Sequence, residues 1–206
     1  IGGTHDLPLD YTVYILSGIT CWLSFQEGLI SSCMAISGNA SLVKQVVFPI
    51  QVLPVSKVLG ALFSLLVTLS VILIYSLAKY GELHLTILLL PFVLSFQAIM
   101  MCGLAFILSS VGAFVRDLKD FITMFAVGGM YILPVVYLPE WIPELFRPII
   151  YINPFSYFVW CYQDVLYFGR FEHPIAWLVA PILALTTLVV GYRLFKKLKP
   201  SFGNVL

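Results

Sequence analysis

Three stretches of this chain, residues 58–78, 85–115 and 174–192, contain no Asp, Glu, Lys or Arg and consist mostly of apolar residues. A helix needs about 20 apolar residues to cross a hydrocarbon core of about 30 Å, so each stretch predicts a membrane span. Closed barrels are excluded, because solid apolar runs lack the two-residue alternation of a membrane strand. Helices then satisfy the backbone in lipid. At helical rise the second stretch would reach about 46 Å, so it is expected to tilt, bend at Pro91 or run on past the membrane. Two weaker spans are expected at residues 11–37, which carry Gln26 and Glu27, and at residues 121–138, which contain Gly128, Gly129 and Pro134. The expected fold class is all-α: a polytopic helical membrane protein in which residues 1–206 form a single transmembrane domain with five spans.

Composition fits a chain whose main solvent is lipid. Hydrophobic residues make up 61% and charged residues 10%, against roughly 25% charged in soluble domains. A formal charge of +1 leaves no basic excess to suggest a nucleic-acid partner. Placement of the charges is more informative. Lys44, Lys57, Arg116, Lys119, Arg193, Lys196, Lys197 and Lys199 fall on one side of the expected spans, and Lys79, Arg147 and Arg170 on the other. The positive-inside rule makes the first side cytoplasmic. Residues 139–173 must then begin and end outside, although 149–168 are hydrophobic. Pro139, Pro143, Pro148 and Pro154 break this region into two short segments, near 140–146 and 155–168, that dip in and return as a re-entrant hairpin before the last span. Cys21, Cys33, Cys102 and Cys161 show no C-x-x-C or metal-ligand spacing and read as small packing residues. His5, His84 and His173 are expected in external loops as solvated side chains. The chain opens at Ile1, with no basic n-region or cleavage site, so no signal peptide is expected.

Three segments carry a resemblance to a known family. Asn39-Ala-Ser-Leu-Val-Lys44-Gln-Val-Val-Phe48-Pro49, followed by Leu53-Pro54-Val-Ser, is one. Val115-Arg116-Asp117-Leu-Lys-Asp120 is the second. Leu133-Pro134-Val-Val-Tyr137, Pro143, Tyr151-Ile-Asn153-Pro154 and Tyr162-Gln163-Asp164, ending at Gly169, form the third. In this order, over nearly the whole chain, they resemble the permease subunits of ABC-type polysaccharide exporters that move O-antigen, capsule or teichoic-acid chains. Gln163 departs from the pattern, which more often has Arg there. The resemblance implies six spans in a full-length member, with an N-terminal interface helix and a first span ahead of Ile1. It also implies a bacterial inner-membrane location and a homodimer with the path between its two permeases. Separate ABC ATPase subunits would hold ATP and Mg, with no cofactor on this chain, and the substrate would be a lipid-linked polysaccharide.

Each candidate residue has an ordinary reading beside the functional one. Lys44, Phe48 and Pro49 match the family segment that gates the cytoplasmic mouth; on physical grounds alone they describe an interfacial helix with a snorkelling lysine. Arg116, Asp117, Lys119 and Asp120 either dock an ATPase or cap a helix through local pairs worth a few tenths of a kcal/mol. Glu27 lies about 24 Å into its span, where an ionisable group is a functional candidate by default. Its alternative is a glutamate that reaches the interface and pairs with Lys44. Tyr137, Tyr151, Tyr157 and Trp160, with Tyr131, Trp141, Tyr162 and Tyr167, crowd the external half as interface anchors or as faces for sugar rings. Asn153 and Pro154 close the hairpin turn and join the pathway candidates. Ala105, Ser109 and Ala113 recur every fourth residue, a spacing that favours close helix packing.

No G-x-x-x-x-G-K-[ST] occurs, so energy is expected from another subunit and no enzyme activity is assigned to this chain. No D-x-D occurs either, against a metal-dependent glycosyltransferase. The rival readings are a membrane-embedded enzyme acting on lipid-linked sugars, for which only Glu27 has a suitable depth, and a non-transporting membrane subunit.

Overall fold

A computed structural model describes residues 11–44, 49–81, 83–115, 117–137, 143–144 and 147–205. The regular elements are all helical: α1 (Tyr11–Cys33), α2 (Ala40–Lys44), α3 (Val52–Tyr80), α4 (Leu90–Gly112), α5 (Leu118–Ile132), α6 (Arg147–Ile152), α7 (Pro154–Gln163), α8 (Pro174–Leu198) and α9 (Phe202–Val205). The all-α polytopic membrane fold is as the sequence predicts.

Three apolar clusters stack along the bundle axis. At one end Ile36, Val43, Leu53, Phe106, Phe195 and Phe202 join the termini of α1, α3, α4 and α8 to α2 and α9. Trp22, Phe25, Leu65, Met101 and Phe158 belong to the middle cluster. Val13, Tyr14 and Tyr167 close the other end, with Tyr75, Tyr80 and Phe168 against them. The first end, which carries Lys44, Lys57 and the lysine-rich end of α8, is called the basic end below; the last is called the hairpin end.

Element boundaries differ from expectation in ways that packing explains. Helix α3 starts at Val52 instead of 58, because Pro54 falls in its first turn, where a missing N–H costs no helical bond. The long stretch after it bends where expected: a 3₁₀ turn (Leu85–Leu89) precedes α4, and Pro91 opens the helix. Helix α4 stops at Gly112, where the chain abuts α1. A Cβ there would stand 2.1 Å from the Cys33 carbonyl oxygen. The α4–α8 crossing is equally tight, since a Cβ on Gly191 would lie 2.1 Å from the Gly103 carbonyl oxygen. Ala105, Ser109 and Ala113 are buried as their spacing suggests, but the backbone-to-backbone contacts fall at Gly103 and Gly112.

Helix α1 looked like a weak span because it is the central helix, packed on α3, α4, α5 and α7. Lined by protein on most sides, it can bury Ser17, Thr20, Ser24 and Ser32. Helix α3 is the converse. It exposes Leu59, Phe63, Val67, Val71 and Ile74 and so needs the apolar surface that lipid demands.

Among the described residues four helices are long and apolar enough to cross a membrane: Tyr11–Cys33, Val52–Tyr80, Leu85–Gly112 and Pro174–Ser201. The fifth expected span corresponds to α5, whose 15 residues rise only about 22 Å. Its register shows how it still runs the length of α1. Lys119 lies by Met34 and Gly38 at the basic end, Ala126 accepts the Trp22 indole N–H at 3.1 Å, and residues 133–137 continue to Tyr14. A non-helical stretch of bends and turns over residues 133–137, extended at Leu133, covers the remaining depth.

The glycine crossing yields a direct test. Gly191→Ala forces α8 away from α4 and should cost about 1–3 kcal/mol, read as a lower melting temperature in detergent. Gly60→Ala and Gly128→Ala, where a Cβ meets nothing within 4 Å, should leave the melt unchanged or slightly raised.

Candidate functional site

A groove of about 770 Å³ opens in the half of the bundle nearer the basic end. Its floor is one stripe of α1, where Leu23, Gln26, Glu27, Ile30, Ser31 and Met34 recur at intervals of three and four. Helix α3 contributes Lys57 and α5 contributes Lys119. Glu27 is exposed, and its Oε1 accepts a hydrogen bond from the Ser64 hydroxyl at 3.3 Å. The structure therefore brings Glu27 and Lys119, which the sequence assigned to separate roles, to one surface. It adds Lys57, whose position in a single-residue gap between apolar runs gave no local signal. Lys44 is exposed on α2 and does not line this groove. Pro49 is exposed ahead of α3. Asp117 precedes α5 without capping it through its side chain, and Asp120 sits in the first turn. Phe48 and Arg116 lie outside the described residues.

At the other end an irregular stretch is held by side chains. After α5 the chain becomes extended at Leu133. The Pro134 carbonyl accepts from the Gln163 amide at 2.8 Å and shares the Tyr14 hydroxyl proton, 3.3 Å away, with the Tyr137 carbonyl at 3.2 Å. Tyr11 donates to the Val136 carbonyl. Gln163 is thus a buried neutral clamp.

The hairpin of residues 147–168 enters the bundle and returns to the same end. The first described helix of the hairpin is α6 from Arg147; the second segment is helical from Pro154 to Phe168, where one was expected near 155–168, and the segment expected near 140–146 lies outside the described residues except for 143 and 144. Asn153 caps α7, its Oδ1 accepting from Phe155 N–H at 3.1 Å, and Pro154 fills the first turn. Phe155 packs edge-on against Trp22 (5.3 Å) and Phe25 (5.1 Å), about midway along α1. From there α7 and a π-helical turn (Asp164–Phe168) climb back to Tyr167, edge-on to Tyr14. Gly169 ends the climb at φ +64, its Cα side so close to His84 that a Cβ would be 2.7 Å from the ring.

Two sequence expectations change here. His173 is not a solvated loop histidine: its ring stacks on Trp160 at 5.2 Å, and its Nδ1 lies 2.8 Å from Asp164 Oδ1. Asp164, 1% exposed, also accepts from the His173 backbone N–H at 3.1 Å and the Trp177 indole at 3.0 Å. A carboxylate inside an apolar run was the available signal for it. Trp160 is 2% exposed and only edges the pocket between Tyr151 and His173. The surface belongs to Tyr151, 50% exposed, whose carbonyl accepts from the Tyr157 hydroxyl at 2.6 Å. These two rings flank a pocket of about 200 Å³ completed by Glu172, His173 and Ala176. Tyr137 donates to the Tyr131 carbonyl at 2.9 Å, away from that pocket.

Comparison with known proteins gives the same picture throughout the chain. The family model described as ABC-2 type transporter matches residues 3–167. An O-antigen export system permease protein RfbA of Klebsiella pneumoniae is 30% identical over 200 residues, covering 96% of this chain and 76% of that protein. A protein of the same name from Myxococcus xanthus is 24% identical over 205 residues, covering 97% of this chain and 77% of its own length.

Burial separates the aromatics by experiment. Trp160→Ala should cost about 3–5 kcal/mol of stability and sharply reduce the yield of folded protein on size exclusion. Tyr151→Ala, at a half-exposed position, should leave yield and melting temperature near those of the parent chain.

Proposed function

The chain belongs to the ABC-2 type transporter family, and from that premise we propose that it is the permease subunit of an ATP-driven exporter of lipid-linked polysaccharide in a bacterial inner membrane. Two copies form the pathway, and separate ATPase subunits supply the energy. The observation that carries this reading is Glu27. It is an exposed carboxylate about 24 Å along a membrane-crossing helix. An ionisable side chain at such depth belongs in a bundle interior or a water-filled cavity, not in lipid. Among the described residues the groove around it is lined by α1, by Gly38 and Asn39 in the turn after it, and by one lysine each from α3 and α5. Beside it α5 turns outward Phe121, Met124, Val127 and Tyr131, the last 76% exposed. A second copy set against this face completes the wall and encloses a polar path.

The remaining assignments follow from charge and shape. The basic end is cytoplasmic by the eight-to-three distribution of Lys and Arg, so the groove opens towards the cytoplasm and the hairpin stands at the external mouth. The ATPase meets the basic end through α2, Pro49 and the charged residues Arg116, Asp117, Lys119 and Asp120 at the start of α5. Polysaccharide is the cargo by analogy with the O-antigen export permeases. Tyr137, Tyr151 and Tyr157, with Asn153 and Pro154 shaping the turn, are the external residues offered to it.

Orientation is tested with single cysteines in a cysteine-free background. Ser41→Cys should resist an impermeant thiol reagent in intact cells and react after permeabilisation, whereas Glu144→Cys should react at once; the reverse pattern inverts the assignment.

Pairing and coupling are tested in the complex purified with its ATPase. Met124→Cys should give a disulfide-linked permease dimer under oxidation. Replacing Arg116 and Asp117 together by Ala should leave the complex folded, since Asp117 is exposed and surface charges contribute about 1 kcal/mol or less, but abolish stimulation of ATP hydrolysis by lipid-linked glycan. Wild-type stimulation in that variant removes the loop from the coupling path.

A further inference from the structure

We propose that the pocket between α6, α7 and the start of α8 holds the zwitterionic head of a membrane phospholipid. Glu172 and the rings of Tyr151 and Tyr157 take its ammonium, and the Trp160 indole N–H and the first turn of α8 take its phosphate. The occupant is a lipid of the surrounding bilayer, so the inference goes beyond export and does not depend on the cargo.

The walls of the pocket suit a cation on one account. The Tyr157 and Trp160 rings meet nearly at a right angle, 83° with centroids 5.4 Å apart, and Tyr151 leans over Trp160 at 5.2 Å. Glu172 lines the same pocket. Ring faces beside a carboxylate attract an ammonium group and have no such attraction for an anion. Arg170 pairs with Glu172 Oε2 at 2.7 Å, but both side chains are exposed, and such a pair contributes about 1 kcal/mol or less.

The same walls suit an anion on another. His173, Pro174, Ile175 and Ala176 are the N-cap and first turn of α8, and all four line the pocket. A helix N-terminus carries partial positive charge and favours a phosphate. Trp160 supplies the independent sign of a ligand: its Nε1 is buried and, among the described residues, has no hydrogen-bond partner. A buried donor left unpaired costs about 1–3 kcal/mol, which a phosphate oxygen in the pocket relieves. An anionic head without an amine sets its phosphate against Glu172, and a cationic lipid without phosphate leaves the indole unpaired. A zwitterionic head satisfies both.

Position and size select a lipid over a glycan. Pro174 opens a membrane-crossing helix, so the pocket lies at the level where head groups begin. Ile175 is exposed, and Leu178 and Ile182 continue its apolar stripe down α8 at intervals of three and four, a track for acyl chains beneath the head. At about 200 Å³ the pocket is smaller than the roughly 300–1,000 Å³ of sites that enclose drug-sized ligands. It fits a head group and not a saccharide chain.

The experiment uses the permease–ATPase complex, delipidated in neutral detergent and titrated with dioleoyl lipids, with bound lipid counted by native mass spectrometry. Phosphatidylethanolamine should bind about tenfold more tightly than phosphatidylethanol, which has the phosphate without the amine, or dimethylammonium-propane lipid, which has the amine without the phosphate. Glu172→Gln, on the exposed rim, should weaken phosphatidylethanolamine about tenfold and leave phosphatidylethanol at or above its parent affinity. Tyr157→Leu should weaken phosphatidylethanolamine about threefold. Trp160→Phe keeps a ring and removes the N–H, so it should weaken both phosphate lipids and spare the dimethylammonium lipid. Glu144→Gln, the same charge change outside the pocket, should alter nothing.

The proposal is overturned if Glu172→Gln keeps the parent preference for phosphatidylethanolamine, or if the parent binds phosphatidylethanol equally well. It is also overturned if glycerophosphoethanolamine competes at equal concentration, which makes the ligand a soluble amine, or if lipid-free glycan displaces the lipid, which makes the pocket a cargo site. Export by the same complex is measured separately. Normal export in any of these outcomes leaves the permease reading intact, and a parent that selects the lipid but does not export overturns that reading alone.

Discussion

The carbonyl of Pro134 must find a hydrogen bond where the chain has left its helix inside a membrane protein, and much of the architecture follows from how it does so. In lipid no water replaces a lost helical bond. Gln163 from α7 and Tyr14 from α1 supply the donors. That arrangement fixes three things together: the exit of α5, the height of the hairpin, and the rotation of α1. With α1 so rotated, Trp22 donates to Ala126 of α5 and the opposite stripe, with Glu27, faces the groove.

Packing is divided between protein and lipid in a way that inverts the usual picture of a core. The most apolar helix, α3, faces outward, whereas the central helix α1 is rich in small hydroxyl residues. The hydrophobic effect gives little drive to bring helices together in lipid, so close backbone approach does more. Gly103 against Gly191 and Gly112 against Cys33 are the points where side-chain-free backbones meet. Aromatic edges then fill the middle, Phe155 between Trp22 and Phe25, where the hairpin tip would otherwise leave a void.

Charge is placed sparingly and by function. Asp164 is buried against two N–H donors and the His173 ring nitrogen, and it ties the hairpin to the start of α8. Glu27 has a single hydroxyl donor and remains exposed. Two acidic residues in apolar surroundings thus do different things: one holds two elements together, the other stays exposed on the groove. Trp160 and His173 lie with Asp164 on the structural side of this division, and Tyr151 and Tyr157 on the open side.

By itself the sequence determined the fold class, the positions of the helices and the existence of the hairpin. The reason is that solvent transfer is local: an uncharged run near twenty residues must be a span wherever its neighbours are, and a proline in a first turn or at a bend acts on its own backbone. It also singled out Glu27, since a carboxylate in an apolar run stands out by composition alone. Residues that act across the chain were not legible in the same way. Lys57 and Lys119 meet Glu27 only because α3 and α5 flank α1. Gln163 could not be matched to Pro134, nor Asp164 to Trp177, without the returning hairpin. Trp160 and Tyr151 have the same claim to a sugar face in the sequence. Their burial separates them, and burial depends on which neighbours the tertiary fold brings within contact distance.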